Sequence, residues 1–184
     1  MQKPHHLITS VESHLIHLFT NQVTDLGGYA DVALQGGTLK KGLSNQLTDG
    51  ELKDLVKYYK IKNYRGAFID DRMPEKLLNG FYIINLNGHS HWTCLLKDGA
   101  SCYYFDSYGF PASAEVEELV GGDYIHSDVQ VQAEASTSCG YFCIAFMRSM
   151  GKAKNKKLAS GDFLQLFDKD PRKNERVLHE LLDL

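Results

Sequence analysis

Apolar residues near the start of the chain repeat with the period of a helix. Within residues 7–19 they follow one another at spacings of three or four positions, so one face of the predicted helix is apolar and must pack against another surface. Residues 21–44 are rich in glycine and have no clear period, which is typical of an arm or linker. The pattern therefore predicts an N-terminal extension at 1–46, made of an amphipathic helix and a glycine-rich arm, and a domain at 47–184.

The rest of the chain shows strand patterns in its middle and helix patterns on both sides. Short runs of β-branched and aromatic residues predict strands, and the Asp98-Gly99 pair between two of them is typical of a two-residue hairpin turn. Capping residues and apolar spacing predict the helices. The predicted strands are 81–86, 91–97, 101–106 and 124–132, and the predicted helices are 49–60, a short one opening at Pro111, 139–150, 160–167 and 171–182. This distribution predicts an α+β fold and not a βαβ repeat.

Composition and charge narrow the class of protein. The chain has 184 residues, of which 43% are apolar and 23% charged, and its formal net charge is -3. One globular domain with a substantial core is expected from these values, and the overall charge does not favour nucleic acid or anionic lipid as the main partner. One local run is basic and contains no acid, and its cations are Arg148, Lys152, Lys154, Lys156 and Lys157. A solvated helix end is the favoured interpretation of this run, and weak contact with DNA is the alternative.

The cysteines and the longest apolar runs predict where the protein works. Cys94, Cys102, Cys139 and Cys143 show neither the density of a secreted disulfide scaffold nor the paired spacing of a zinc ribbon, so a reducing compartment is expected. The first twenty residues contain charged and histidine residues that interrupt any signal peptide, and the longest apolar run, 141–147, is too short to span a bilayer. We therefore predict a protein of the cytosol or nucleus that is not secreted and has no membrane contact.

Cys139 has the sequence context of a reactive cysteine. It follows the polar run "ASTS" and precedes the apolar helix pattern "GYFCIAFMRSM", so its sulphur is expected at a helix N-terminus, where free backbone N–H groups and the helix dipole favour the thiolate. Gly140 leaves the face beside the sulphur bare, which would let a substrate backbone approach closely. Cys143 falls one helical turn further along the same face, and we expect it to be buried and inert.

A base for this cysteine is expected from the run "GHSHWTC". His89 and His91 would point to the same face if the strand already begins at Gly88, with His89 nearer the loop and facing solvent. Asp106 ends the next strand, across the hairpin from His91, where it can accept a hydrogen bond from the imidazole and fix its tautomer. The residues therefore predict a Cys139, His91 and Asp106 constellation.

Each of these residues also has a structural interpretation. An isolated cysteine in an apolar helix is usually a packed core residue, and a lone strand histidine or a turn aspartate is usually without chemical function. A zinc site formed by His89, His91, Cys139 and Cys143 is the remaining alternative, but cysteines separated by three residues fit poorly among the usual structural zinc spacings. We predict no metal and no cofactor.

Three blocks in the right order resemble a known family. The blocks "HSHWTCLL", "YYFDSYGF" and "QAEASTSCGYFC" are similar to the His-Trp, Asp/Glu and Gln-x6-Cys-Gly blocks of adenovirus-type maturation cysteine proteases, which share a fold with SUMO-specific proteases. The upstream stretch "LTDGELKDLVKYYKIKNYRGAFIDDRMPEKLLNGFYIINLN" resembles the start of that catalytic domain, particularly in the versions of virophages and Polinton/Maverick elements. The resemblance covers about residues 47–150. It implies a papain-like, adenovirus-protease-like cysteine protease fold with a central mixed sheet flanked by helices.

The resemblance also assigns roles to individual residues. It implies Cys139 as nucleophile, His91 as general base and Asp106 as the residue that orients the base. Gln132 would donate its side-chain amide to the oxyanion together with the backbone N–H of Cys139, and Trp92 would help to wall a narrow cleft. The implied activity is endopeptidase cleavage of viral capsid or other structural precursors after glycine-containing sites, during virion maturation in the virion and the host cytoplasm or nucleus. A protease for SUMO or ubiquitin-like proteins is the alternative within the fold, and a non-catalytic or zinc-stabilised module is the alternative outside it.

Three features of the chain limit how far the family pattern can be carried over. Spacing selects Gln132 over Gln130, although both would lie on one face of a strand over 124–132. The segment 107–131 has no cysteine, so a disulfide-linked peptide activator is not expected. Residues 1–46 have no counterpart in the family. The glycine pairs in this extension resemble sites for self-cleavage, but a plain linker is the favoured interpretation.

Overall fold

The computed structural model describes residues 46–88 and 91–184 of the chain. The predicted N-terminal helix, the glycine-rich arm and His89 lie outside the described residues, and the division at residue 46 stays a prediction. The helices are α1 (Asp49–Tyr58), α2 (Ala114–Val120), α3 (Cys139–Lys152), α4 (Lys156–Leu164) and α5 (Asn174–Leu182), and the strands are β1 (Tyr64–Ile69), β2 (Gly80–Asn85), β3 (Trp92–Asp98), β4 (Ser101–Phe105) and β5 (Ile125–His126). Short 3-10 turns lie at Asp70–Arg72, Leu86–Gly88 and Pro171–Lys173.

The strands form one mixed sheet in the order β1-β2-β3-β4-β5. β2, β3 and β4 pair antiparallel, whereas β1 pairs parallel with β2 and β5 pairs parallel with β4. The β3–β4 hairpin turns at Gly99-Ala100, one residue later than predicted, because Asp98 still pairs with Ser101. Gly99 has φ 60°, as the first central residue of a type II′ turn requires.

Side chains alternate between the two faces of the sheet and bury both of them. One face of the central strands, including Ile83, Cys94 and Phe105, packs against α3, and the Phe105 and Phe146 rings stack with their centroids 4.9 Å apart. The opposite face packs against α2, whose Val116 is fully buried. Helices therefore flank the sheet on both sides, and α3 is the helix held most deeply in the core.

Several predicted boundaries are confirmed. Thr48 caps α1 through a capping box with Glu51, in which the side chain of each residue binds the backbone N–H of the other. α3 begins at Cys139, as its polar lead-in predicted. Asp170 caps the Pro171–Lys173 turn by accepting a hydrogen bond from Arg172 N, and α5 follows directly.

Other predicted boundaries were wrong for reasons visible in the contacts. α2 begins at Ala114 and not at Pro111, because Ala112 N donates to the Tyr124 hydroxyl, 3.1 Å away, and lies outside the helix. The strand predicted over 124–132 is reduced to the two residues of β5. α4 spans Lys156–Leu164 and not 160–167, since Asn155 caps it by accepting from Leu158 N.

β1 was not predicted, and it lies at the edge of the sheet. Its sequence "YRGAFI" has no apolar alternation, and its register shifts between Tyr64 and Gly66. None of the helices in the described ranges is long and apolar enough to cross a bilayer.

Candidate active site

Cys139 is the first residue of α3. Phe142 N donates to Ser138 O at 3.1 Å, so the helix starts at the cysteine, and the sulphur lies at the positive end of the helix dipole. The residue is 2% exposed. The buried helix behind it fixes the sulphur's position, and only a narrow approach to the sulphur remains.

His91 lies immediately before β3, and its backbone position is held from two sides. Leu86 N donates to His91 O at 3.1 Å, and the buried carboxylate of Asp70 accepts from Asn87 N at 3.0 Å, which pins the preceding turn. The condition under which His89 and His91 were expected to share a face, a strand that already begins at Gly88, is not met, since Leu86–Gly88 forms a 3-10 turn and β3 begins at Trp92. The position of His91 therefore depends on this turn and not on strand alternation.

The His91 ring binds the carboxylate that the sequence indicated. His91 Nε2 lies 3.0 Å from Asp106 Oδ1, and Asp106 is fully buried directly after β4. The same oxygen accepts from Tyr108 N at 2.7 Å. The other carboxylate oxygen, Oδ2, has no hydrogen-bond partner among the described residues. Burying a carboxylate with one oxygen that lacks such a partner destabilises the folded state. The contacts that Asp106 makes within the fold do not offset this cost.

The surroundings of His91 stabilise its protonated form. Burial of the ring lowers its pKa, but hydrogen bonds to Asp106 and Cys139 and the negative charges on both partners outweigh burial and raise the pKa to about 9. Because Nε2 is bound to Asp106, Nδ1 is the ring nitrogen that remains for the Cys139 sulphur. An imidazolium in this position can stabilise a thiolate and later give up a proton.

Gln132 lies in the loop that leads to Cys139, and it is 1% exposed. Ser107 Oγ donates to Gln132 Oε1 at 2.7 Å, and Gln132 Nε2 donates to Ser136 O at 2.8 Å and to Tyr108 Oη at 3.2 Å. The residue is not in a strand, because the backbone N–H groups of Val131 and Gln132 both donate to Ser107 O.

Gln130 does not share the environment of Gln132. Its side chain is exposed, and its amide donates to the Gln132 carbonyl oxygen at 3.0 Å. The prediction that both glutamines lie on one strand face was wrong, because this segment is a loop. Of the two, the structure places Gln132 in the polar network beside Cys139.

Tyr108 is a site residue that the sequence reasoning missed. Its ring centroid lies 4.9 Å from that of His91, its backbone N–H binds Asp106, and its hydroxyl binds Gln132. A signal was present, since Tyr108 follows Asp106 by two positions within "YYFDSYGF". What the sequence did not reveal is that its hydroxyl reaches a residue 24 positions away.

The loop before Cys139 is supported by the start of α5, which the sequence reasoning also missed. Glu175 accepts hydrogen bonds from the hydroxyls of Ser136 and Ser138. Fully buried Asn174 donates to Val131 O at 3.0 Å. These contacts join residues about forty positions apart, and no local sequence pattern indicates them.

Trp92 and Gly140 lie mostly within the core. Trp92 is 7% exposed, and its indole N–H donates to Leu47 O at 2.8 Å. A Cβ added to Gly140 would lie 3.1 Å from the Leu47 side chain and 3.2 Å from that of Leu52. The missing side chain therefore makes room for Leu52 of α1 and for Leu47 just before its cap, while approach of a substrate backbone at Gly140 stays a prediction.

Cys143 is buried as predicted, with 1% exposure. Its thiol donates to Trp92 O at 3.4 Å, and burial raises its pKa well above the ordinary value for a thiol. No three metal-ligating side chains come together as a site within the described residues. The zinc alternative also involved His89, which lies outside them.

The basic run lies at the opposite end of α3. Arg148, Lys152 and Lys156 line a cavity of about 380 Å³. Lys60, Lys62 and Lys97 also line it. Arg148 donates to Leu181 O at 2.6 Å, and Lys156 donates to Ala153 O at 2.7 Å and to Met150 O. The remaining basic residues, Lys154 and Lys157, are exposed and do not line the cavity.

Comparisons with known proteins bear on the fold. No protein-family model matches the chain, and no curated protein matches it. A crystal structure of the ASFV pS273R protease is similar, with a TM-score of 0.50 and 14% identity over 76% of this chain and 68% of that one. The likeness confirms the predicted fold class, an α+β fold with a central mixed sheet flanked by helices, and the protein that shares this fold is a protease. At this identity the likeness extends to the fold alone.

Proposed function

We propose that the chain is a cysteine endopeptidase in which Cys139 is the nucleophile. The observation that carries the proposal is the contact made by His91, whose ring binds fully buried Asp106 at 3.0 Å and also interacts with the sulphur at the start of α3. The likeness in fold to a protease adds support. Cysteine, imidazole and carboxylate from three separate elements are the groups that thiol-dependent acyl transfer needs.

The reaction follows from the proton positions. The Cys139 thiolate attacks the scissile carbonyl carbon, so a C–S bond forms while the carbonyl π electrons move to oxygen. The His91 imidazolium then gives its proton to the leaving amine as the C–N bond breaks, which leaves a thioester. Neutral His91 next takes a proton from water, which attacks the thioester and releases the acid. Asp106 keeps the ring oriented through both steps.

We propose viral capsid or other structural precursor proteins as the substrates, cleaved after glycine-containing sites during virion maturation. The sequence blocks that resemble adenovirus-type enzymes support this choice, as does the fold shared with a protease of a virus. Cys139 and Trp92 are 2% and 7% exposed, so a residue without a side chain would reach the sulphur most easily. The proposed place of action is the virion and the host cytoplasm or nucleus.

A protease for SUMO or ubiquitin-like proteins is the second candidate. The same narrow approach to Cys139 favours it, because a Gly-Gly tail is thin enough to enter. Vinyl sulfone derivatives of ubiquitin and SUMO provide the test, since they label a cysteine only after their folded body has bound. Rapid labelling of Cys139 would favour this candidate over precursor cleavage.

Co-expression with the capsid precursor of the same genome tests the main proposal, with mapping of new termini by mass spectrometry. The wild type is expected to cleave at glycine-containing sites and Cys139→Ala to cleave nowhere. Cys143→Ala is the matched control, because it removes a thiol from the same helix one turn further in, and it should cleave at the same sites. Cleavage by Cys139→Ala would overturn the proposal.

We also propose weak contact with DNA through the basic run. Arg148 and Lys156 bind carbonyl oxygens of the chain itself, so the contact rests mainly on Lys154 and Lys157, which are exposed. Binding of duplex DNA measured over a salt series provides the test. Lys154→Ala combined with Lys157→Ala should reduce the slope of log affinity against log salt by about 2, and an unchanged slope would exclude these residues.

A further inference from the structure

The Gln132 amide has no N–H group left for an oxyanion. An amide nitrogen carries two N–H donors, and Gln132 Nε2 donates to Ser136 O at 2.8 Å and to Tyr108 Oη at 3.2 Å. Ser136 O can only accept, which fixes which end of the amide carries the N–H groups, and the amide oxygen accepts from Ser107 Oγ at 2.7 Å. Direct donation to a substrate oxygen would require one of these two bonds to break.

The Tyr108 hydroxyl, in contrast, has a proton that is weakly engaged. Its oxygen accepts from Gln132, and the acceptor that the described residues offer its O–H is Ser136 O at 3.4 Å. Hydroxyl hydrogen bonds normally measure about 2.7–2.8 Å, so this contact is long. The hydroxyl can therefore turn towards a better acceptor while it keeps its bond from Gln132.

Three contacts hold Tyr108 at the reacting groups. Its backbone N–H binds Asp106 Oδ1 at 2.7 Å, its ring lies 4.9 Å from the His91 ring, and its hydroxyl is anchored by Gln132. Burial and the negative charge of Cys139 both raise its pKa, so the phenol keeps its proton at neutral pH.

We propose that Tyr108 donates the hydrogen bond that stabilises the oxyanion, with Gln132 as the residue that positions it. This inference rests on the proposed function. As the C–S bond forms, charge develops on the former carbonyl oxygen, and the Tyr108 O–H and the Cys139 backbone N–H donate to it. No proton is transferred from Tyr108. The Gln132 N–H donates to the Tyr108 oxygen and thereby polarises the phenol O–H, because hydrogen bonds in a chain strengthen one another.

Tyr108→Phe isolates the hydroxyl, because it keeps the ring beside His91 and the backbone bond to Asp106. Loss of one oxyanion donor costs about 10²-fold or more in kcat, and we expect a loss on that order with little change in KM. Tyr124→Phe is the matched control. That hydroxyl is also hydrogen-bonded, to Glu117 and Ala112, but it lies beside α2 on the other face of the sheet, and kcat should be unchanged.

Three measurements separate an oxyanion role from a structural one. Alkylation of Cys139 by iodoacetamide needs the thiolate but forms no oxyanion, so its rate should be almost the same in Tyr108→Phe as in the wild type. Hydrolysis of a fluorogenic peptide with Gly-Gly before the leaving amine should show the full loss. Affinity for a Gly-Gly peptide aldehyde, whose thiol adduct places an oxygen at the oxyanion position, should fall by a similar factor.

Two outcomes would overturn the inference. An unchanged or faster kcat in Tyr108→Phe would mean that the hydroxyl only blocks Gln132, which then donates directly. A fall in alkylation as large as the fall in hydrolysis would place the effect on the sulphur and His91. The failure of the proposed function looks different, because wild-type Cys139 would then show no preferential alkylation and Cys139→Ala no loss of hydrolysis.

A second replacement covers the case in which Tyr108→Phe does not fold. Incorporation of a difluorinated tyrosine at position 108 keeps the hydroxyl but lowers its pKa. If the neutral O–H donates to the oxyanion, the alkaline limb of the kcat profile should move to lower pH, because the ionised phenol cannot donate. An alkaline limb that stays in place would contradict the inference, since a packing role does not depend on that proton.

Discussion

The two ends of α3 both gather polar side chains, but these side chains have different partners. At the C-terminal end, Arg148 and Lys156 donate to carbonyl oxygens of the backbone. At the N-terminal end, side chains from separate elements bind one another, as His91 does with Asp106 and Tyr108 does with Gln132. The first arrangement supports the backbone, whereas the second builds a cluster around a sulphur.

This difference supports the proposal that the chemistry lies at the N-terminal end of α3. Cations near a helix C-terminus satisfy free carbonyl groups and complement the helix dipole, which is a sufficient structural reason for them. The N-terminal cluster buries a carboxylate and a primary amide, both of which are costly to remove from water. Burying these two groups brings no comparable gain in stability. Substitutions at the N-terminal end should therefore lower activity, whereas substitutions at the C-terminal end should lower stability.

The largest expected effect is at the N-terminal end, in Asp106→Asn. The amide carries no charge to hold the His91 imidazolium, and we expect kcat/KM to fall by about 10⁴-fold, as for loss of the orienting carboxylate in other triads. Thermal unfolding should remain cooperative. Asp123→Asn, at an exposed position, is the control and should retain activity. A small loss in Asp106→Asn would remove the carboxylate from the mechanism.

Gln132→Ala should have the next largest effect. It removes the group that anchors the Tyr108 hydroxyl, and we expect kcat to fall by about 10²- to 10³-fold. Gln130→Ala should stay near wild type, because that side chain is exposed. If the two residues act as one unit, combining Gln132→Ala with Tyr108→Phe should cost much less than the product of the two separate losses.

The pH dependence of stability tests the charge at this end. The pKa of His91 is about 9 in the folded chain, above its value of about 6.5 in an unfolded one. The contribution should therefore be fully present below pH 6.5 and lost as the pH rises through 9. Urea unfolding across this range measures it. In His91→Gln the decline over this window should become smaller, and an identical decline would assign it to other groups.

A smaller effect is expected from packing behind the sulphur. Gly140→Ala places a methyl group against Leu47 and Leu52 and should destabilise by about 1–3 kcal/mol, as overpacking generally does. Gly161→Ala is the matched control, because nothing lies within 4 Å of the added Cβ in α4. It should stabilise by about 0.5–1 kcal/mol. Equal effects of the two changes in denaturant unfolding would contradict the packing explanation.

The smallest effect is expected at the C-terminal end. Lys156→Met removes donors to Met150 O and Ala153 O and should destabilise by about 1 kcal/mol, with kcat unchanged. Lys157→Met, at the exposed neighbouring position, should stay within about 0.5 kcal/mol of the wild type. A clear fall in kcat for Lys156→Met would break the contrast between the two ends.

Much of the fold was predictable because it depends on local patterns. The buried strands β2, β3 and β4 have dense apolar runs, and α3 has a polar lead-in followed by an apolar helix. β1 was missed because an edge strand needs no apolar alternation. The strand predicted over 124–132 was wrong because the N–H groups of Val131 and Gln132 bind Ser107 O, a contact that no spacing indicates.

The site was predictable in part for a related reason. Cys139, His91, Asp106 and Gln132 stand in three quoted sequence blocks at the ends of elements, so their approximate placement followed from the order of those elements. The support around them depends on contacts between distant positions, such as Tyr108 with Gln132 and Ser138 with Glu175. The packing role of Gly140 was missed because its neighbours, Leu47 and Leu52, come from a distant part of the chain.

The contacts of Glu175 have a consequence for synthesis of the chain. During synthesis Cys139 leaves the ribosome before Glu175. The Glu175 carboxylate accepts hydrogen bonds from Ser136 and Ser138, in the loop next to the cysteine. A nascent chain therefore carries the thiol before its supporting loop is held in place. Activity acquired only after α5 has been made would protect neighbouring nascent chains from premature cleavage.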